Sequence, residues 1–306
     1  MPAVSSISPL DGESRIVMCL GCGLLYTNPR PTSEGISQCY QGYYSTGALT
    51  DDKSAVTGNV KSHGTLRTLW HHLCGQYLSE VLAKTHGKVL DVGCGTGDLL
   101  EELHQKGCQT YGVEFNPNSV EACLRRGLDV QCGNFIDTDL PEDFFDVVIL
   151  WHVLEHLPSP RKALEKALKT LKPGGKLFIH SPNAKSYVAR IFGIHWYAWQ
   201  LPFHFYHFDV RSIQRVAKEC GFNLIKIRAI SPEYFIAHSL GAALSGTQSA
   251  LCRFLYRPKL FRSLSFRLSV AFLLRLADTC LPLQGECLRV ELQKPGTASI
   301  TVVGRT

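Results

Sequence analysis

Carboxylates, glycines and histidines in the middle of this sequence are spaced to handle a nucleotide-like ligand. Val89-Leu90-Asp91-Val92-Gly93-Cys94-Gly95-Thr96-Gly97 runs from an apolar stretch into three glycines at every second position. Glycine accepts positive φ and lets a backbone approach a ligand closely. A helix opening after such a loop offers unbonded N–H groups to that ligand. Glu114 stands 21 residues beyond Gly93, where an α/β nucleotide site places a carboxylate for ribose hydroxyls. Asp91, just before the loop, suits an ammonium group better than a pyrophosphate. The glycines run G-x-G-x-G, so the last spacing of the dinucleotide motif is not met. A nicotinamide-dependent oxidoreductase shares the layout and is the alternative reading. Two histidines, His152 and His204, suit proton transfer near neutral pH. The plainer reading of His152 is a residue that packs or caps the helix after it.

Elements that could position these groups alternate between strand and helix. Strands are expected at Lys88–Val92, Thr110–Glu114, Asp129–Cys132, Phe145–Leu150, Lys176–Ser181 and Asn223–Ile230. Helices are expected at Asp98–Lys106, Asn118–Arg126, Arg161–Leu171 and Val210–Glu219, with a further helix over 64–86. Phe145–Leu150 is apolar almost throughout, as a strand buried on both faces should be. Pro173-Gly174-Gly175 reads as a helix stop. The expected fold is α/β: a Rossmann-like, mostly parallel sheet with helices on both faces and a last, antiparallel strand at Leu288–Lys294. Residues 1–36 form a flexible N-terminus with a Cys-x2-Cys segment, and 37–86 a helical region. Residues 87–231 form the ligand-binding domain, and 232–306 a helical cap or insertion with the closing strand. Carboxyl ends of neighbouring parallel strands deliver their loops to one edge. That puts the glycine loop, Trp151-His152 and the segment after Pro182-Asn183 on a common side.

Roughly residues 15–235 resemble class I S-adenosylmethionine (SAM)-dependent methyltransferases. Asp91, Gly93, Gly95 and Gly97 match that family's first motif, with Cys94 inside it. Glu114 in Tyr-Gly-Val-Glu-Phe-Asn-Pro matches its ribose-binding acid, and Phe115 its adenine-flanking position. Gly133-Asn134-Phe135 stands where the family often has an acidic residue near the adenine amine, so any such contact is expected from Asn134 or from a backbone group of this stretch, which ends at Phe135. Phe145–Leu157 and Leu171-Lys172-Pro173-Gly174-Gly175 match the fourth strand and the turn before the fifth. The resemblance implies SAM as cofactor and places Trp151 against the adenine or the sulfonium, since aromatic faces attract onium cations. Plain packing is the other reading of Trp151. Metal-independent relatives carry a similar Leu-Glu-His, so His152, Glu155 and His156 are expected to hold no metal.

His195–Phe208 is dense in aromatic and histidine residues and resembles a segment of bacterial methyltransferases found beside polysaccharide and lipid biosynthesis enzymes. Phe203 replaces the arginine usual there. An acceptor wall containing His204 is the expectation, with an ordinary aromatic cluster as the alternative. Methyl transfer is an in-line displacement, so much of its catalysis comes from positioning. The expected acceptor is an oxygen of a glycan, a lipid-linked compound or another small molecule. A non-catalytic SAM-binding protein is the second alternative.

Twelve cysteines, one in the glycine loop and one in a helical run, read as reduced thiols of a cytoplasmic protein. No basic region followed by an apolar run opens the sequence, so no signal peptide is expected. Cys19-x2-Cys22-Gly23 looks like half of a zinc knuckle. Only Cys39 and His63 lie nearby, so bound zinc is not expected. Tyr40, Tyr43 and Tyr44 resemble the family's tyrosine-rich approach to the cofactor. The net charge of +6 concentrates in residues 251–277, where Arg253, Arg257, Lys259, Arg262, Arg267 and Arg275 meet no acid. That pattern argues against a nucleic-acid partner, which wants a broader basic surface. It fits either a substrate cap or a helix in peripheral contact with an anionic membrane.

Overall fold

The computed structural model of the chain describes residues 14–32, 35, 81, 83–245 and 264–296. Most of the helix expected over 64–86 falls outside the described residues. So do Cys39, His63, the three tyrosines at 40–44 and the basic residues from Arg253 to Arg262.

Strands are numbered in chain order: β1 (Arg15–Met18), β2 (Leu25–Asn28), β3 (Lys88–Val92), β4 (Gln109–Glu114) and β5 (Val130–Cys132). Then come β6 (Phe145–Trp151), β7 (Leu171–Pro182), β8 (Tyr206–His207), β9 (Asn223–Ile230) and β10 (Cys287–Gln293). The described helices are α1 (Asp98–Gln105), α2 (Pro117–Arg125), α3 (Pro160–Thr170), α4 (Tyr187–Phe192), α5 (Val210–Glu219), α6 (Glu233–Ser245) and α7 (Leu264–Cys280). They fall into two compact units.

One unit spans Val81–His180, Ile213–Ile227 and Arg289–Thr306. It contains most of a seven-stranded sheet in the order β5-β4-β3-β6-β7-β10-β9. The pairs β5/β4, β4/β3, β3/β6 and β6/β7 are parallel. Against β7, β10 is antiparallel: Gly174 and Gly175 exchange backbone hydrogen bonds with Lys294, while Lys176 reaches back to Glu291. This is the α/β, mostly parallel sheet expected from the alternation of patterns.

Core burial explains the central strands. Val147, Val148, Ile149 and Leu150 of β6 are each 2% exposed or less. Each such side chain contributes about 1.5–3 kcal/mol on leaving water, so β6 belongs in the middle of the sheet. Leu100 and Leu103 seat α1, and Ala163, Leu164 and Ala167 seat α3. Start signals fix the helix ends. Asn116 and Ser159 accept hydrogen bonds from Asn118 N–H and Lys162 N–H, each followed by proline in the first turn.

The fifth parallel strand departs from expectation. It begins at Leu171 rather than Lys176, so Pro173-Gly174-Gly175 lies inside β7. Phe145 pairs with Leu171 but Val147 already pairs with Lys176, and the turn is looped out of the ladder as a bulge. Lys294 holds it from the other side.

The second unit spans Met1–Glu80, Ser181–Ser212 and Arg228–Leu288. Its three-stranded antiparallel sheet runs β1-β2-β8. Residues 15–18 were expected to be poorly ordered, yet they form β1 against β2. Thr27 ties the sheet to the aromatic segment by a hydroxyl bond to the His204 carbonyl (2.6 Å) and an N–H bond to the Phe205 carbonyl (2.9 Å). In the same unit Asp278 of α7 accepts from the Ser231 N–H and hydroxyl, both at 2.8 Å, and the Tyr187 hydroxyl joins them.

Candidate functional site

Register brings the chemistry-bearing ends of β3, β4 and β6 level. Val92 pairs with Val113 on one side and with Leu150 on the other. The residues that follow are Gly93, Glu114 and Trp151, at one edge of the sheet. Gly93 N–H bonds to the Val113 carbonyl at 2.7 Å, which turns the chain into the glycine loop.

Sterics require two of these glycines. Gly93 has φ +68°, and a Cβ there would lie 2.6 Å from Cγ2 of Val153. Gly97 has φ +84°, and its Cβ would lie 2.4 Å from Cδ1 of Leu128. Any side chain would be both strained and in collision. Gly97 is followed directly by α1, so the N–H groups of its first turn face the loop. Cys94 turns inward and packs with Leu100, Val120, Cys123, Leu128 and Val130. Burial pushes its thiol up, and only its backbone remains for a ligand.

The two carboxylates differ. Glu114 is 7% exposed, and its oxygens are placed by the backbone: Oε2 accepts from Gly95 N–H and Oε1 from Asn116 N–H, both at 2.8 Å. A carboxylate oxygen has two lone pairs, so each still has one for a hydroxyl. Asp91 is 3% exposed, and burial, then the charge of Glu114, lifts its carboxyl to about 8. A cationic ligand group would restore its ionised form. A cradle without room for a Cβ, two oriented acceptors and a buried acid together fit a nucleoside that carries an ammonium.

The other residues expected to line this site are placed less uniformly. Phe115 is half exposed directly after Glu114, whereas Phe135 is buried. Asn134 caps its own turn, accepting from Ile136 N–H at 3.2 Å and donating to Asp137 at 2.8 Å. Trp151 stacks on His180, with ring centres 4.6 Å apart and planes 29° apart.

His152 takes the left-handed conformation, with φ 52°. Its N–H bonds to the His180 carbonyl at 2.8 Å. Nδ1 lies 3.0 Å from Oε1 of Glu155, and Nε2 lies 2.8 Å from Nδ1 of His180. Sequence reading pointed to His152 but passed over His180 and gave Glu155 no role beside it. The signal for Glu155 was its i+3 spacing. His180 lies 28 residues away on the neighbouring strand, where only the pairing of Trp151 with His180 brings it close.

In the second unit the aromatic segment is largely internal. Trp196 is buried and donates from Nε1 to Glu286 at 3.1 Å, and it meets Trp199 edge to face. His204 is 3% exposed, with Nδ1 2.8 Å from the Ala198 carbonyl. Tyr197 stacks on His238. Cys19 and Cys22 flank the turn between β1 and β2, which Gly23 closes with a bond to the Cys19 carbonyl.

Comparison with known proteins bears on both the fold and the cofactor. Residues 66–227 match a family described as a methyltransferase domain. The ubiquinone biosynthesis O-methyltransferase of Vibrio cholerae serotype O1 is 28% identical over 168 residues, covering 47% of this chain and 69% of the relative. Among solved structures, the [4+2]-cyclase SpnF superposes with a TM-score of 0.55 at 18% identity, over 87% of this chain and 97% of its own. A phosphoethanolamine N-methyltransferase of Haemonchus contortus, solved with S-adenosyl-L-methionine, gives a TM-score of 0.50 at 17% identity, over 77% and 61%.

Proposed function

Because the chain belongs to the class I SAM-dependent methyltransferases, with SAM as its cofactor, we propose that it methylates a hydroxyl oxygen of a small-molecule acceptor. The observation that carries the proposal is the Glu114 carboxylate, fixed between Gly95 and Asn116 beside the Asp91–Gly97 loop. In this reading Glu114 takes the two ribose hydroxyls and Asp91 the methionyl ammonium. Gly93, Cys94, Gly95 and Gly97 line the chain with backbone, while Phe115, Asn134 and Phe135 approach the adenine and Trp151 the sulfonium side.

Oxygen as the methylated atom draws support from the name of the Vibrio cholerae relative. An acceptor hydroxyl loses its proton as the methyl arrives, and His152 at the end of β6 is the group proposed to govern that proton. His204 is the second candidate, although its ring is committed to Ala198 in the present arrangement. Glycan and lipid-linked hydroxyls stay within the proposed acceptor class.

A membrane-surface location belongs to the same proposal. No helix among the described residues is long and apolar enough to cross a membrane. On α7, however, Ala271 and Leu274 are buried while Phe272, Leu273 and Leu276 are 61%, 62% and 55% exposed. These three residues lie within the acid-free stretch 251–277 of the sequence.

The test is transfer of labelled methyl from SAM to a panel of phenols, sugars and lipid-linked glycans, with amines as controls. Labelling of amines alone would refute oxygen transfer. SAM binding without transfer to any member would favour the non-catalytic alternative, a point sharpened by SpnF, which bears the name of a cyclase on this fold.

A further inference from the structure

The geometry points to a proton-holding unit made of Glu155, His152 and His180, in which the two imidazoles share one proton and Glu155 is the positioning residue. The inference rests on the methyltransferase reading above and names how the acceptor's proton is held.

Three observations carry it. Glu155 is 1% exposed, and its Oε1 lies 3.0 Å from Nδ1 of His152. Its other oxygen, Oε2, is buried without a hydrogen-bond partner, so the bond to His152 is the carboxylate's main compensation inside the protein. Nε2 of His152 lies 2.8 Å from Nδ1 of His180, a distance at which one proton must stand between the two nitrogens. The His180 carbonyl also holds the His152 N–H at 2.8 Å, which fixes its left-handed backbone. The whole arrangement abuts the cofactor loop, since Val153 occupies the space that a Cβ on Gly93 would need.

Charge decides where a proton rests. Burial alone would raise the Glu155 carboxyl, but the His152 bond and the charges of His152 and His156 bring it below its ordinary value. Glu155 is therefore an anion, and Nδ1 of His152 carries the hydrogen between them. Burial, then His152 and Arg289, push His180 well below the ordinary imidazole value. A positive charge cannot stay on His180.

The step balances. The oxygen of the acceptor attacks the sulfonium methyl, an O–CH3 bond forms, and the C–S bond breaks with its electron pair left on sulfur. The O–H proton passes to Nε2 of His180, whose Nδ1 holds the hydrogen of the shared contact. The shared proton shifts along the 2.8 Å contact, and the new charge settles on His152, between Nε2–H and Nδ1–H and against Glu155. The role parallels that of the carboxylate in a hydrolase triad, which fixes a tautomer and stabilises the imidazolium.

The test is NMR of the full chain labelled with 15N-histidine, with and without S-adenosylhomocysteine, with His152 assigned through His152→Gln. In the wild-type protein, neutral His152 should show the Nδ1–H tautomer and a nitrogen–nitrogen coupling to His180. Finding the Nε2–H tautomer would overturn the inference, and this measurement stands even where a variant fails to fold. In Glu155→Gln, neutral His152 should lose its preference for the Nδ1–H tautomer, because the anion facing Nδ1 is gone, with affinity for S-adenosylhomocysteine unchanged within about twofold. An unchanged tautomer in that variant would also overturn it. Loss of S-adenosylhomocysteine binding by the wild type would instead defeat the methyltransferase reading and leave the histidine chemistry standing.

Discussion

Asp91 and Glu114 lie at the ends of neighbouring strands, both buried, yet only Glu114 has backbone N–H donors on its oxygens. The asymmetry has a thermodynamic sign. Asp91 titrates near 8 in the folded chain against an ordinary 3.8, so the native state holds a proton that the unfolded state has lost. Its contribution to stability is present below about 4 and is lost as pH rises towards 8. Ligand-free protein should therefore lose Asp91-linked stability across that window, and Asp91→Asn should flatten the loss in thermal melts at pH 6 and pH 8.5. An ammonium brought in by the cofactor reverses the preference. Binding of S-adenosylhomocysteine near pH 6.5 should release about one proton. Calorimetry in buffers of different ionisation enthalpy measures it, and zero release would remove Asp91 from the ammonium site. Glu114→Ala should weaken cofactor binding by about 1–3 kcal/mol, the scale for a lost charged hydrogen-bond partner. An unchanged dissociation constant in a folded variant would remove Glu114 from the ribose.

Elements show what a sequence makes visible. The loop between β3 and α1 was legible because its determinants are local: an apolar strand, glycines whose Cβ would strike Val153 and Leu128, and a helix start within ten residues. Gly93→Ala should destabilise the protein and abolish cofactor binding together, because the added methyl strikes Val153 while φ stays positive. A variant with wild-type melting temperature and affinity would show that the loop yields more than its packing implies. The bulge in β7 was hidden, since Pro173-Gly174-Gly175 reads as a turn until Lys294 closes on it from far along the chain. Pairing of β2 with β8 was equally invisible: Leu25 meets His207 across most of the sequence, and a two-residue strand has no pattern of its own. His180 shows the same limit within the site. Its strand was expected, but its approach to His152 is a matter of register rather than of motif.

At the scale of the molecule, a modest net charge of +6 conceals an uneven distribution, because the stretch 251–277 alone contributes six bases and no acid. In α7 the buried Ala271 and Leu274 and the bonded Asp278 mark the inner face, which leaves Phe272, Leu273 and Leu276 outward. Exposed large apolar side chains on one helical face have an identifiable use when basic residues adjoin them. Neither term is sufficient by itself. Burying one such side chain in a bilayer interface contributes at most about 1.5–3 kcal/mol, and each base near an anionic surface about 1 kcal/mol. In the proposed membrane contact the two would act together, and salt would weaken the attachment because the electrostatic part is screened over about 10 Å at 0.1 M. The protein should therefore sediment with vesicles containing phosphatidylglycerol at low ionic strength, and much less with phosphatidylcholine alone. Raising the salt should release part of it. The combined Phe272→Ser and Leu276→Ser variant should lower partitioning roughly tenfold or more, with the melting temperature little changed because both side chains face outward. Equal partitioning to neutral and anionic vesicles would remove the charge from the account. An unaltered double variant would mean that α7 does not touch the lipid, and the basic stretch would then serve the acceptor as a cap.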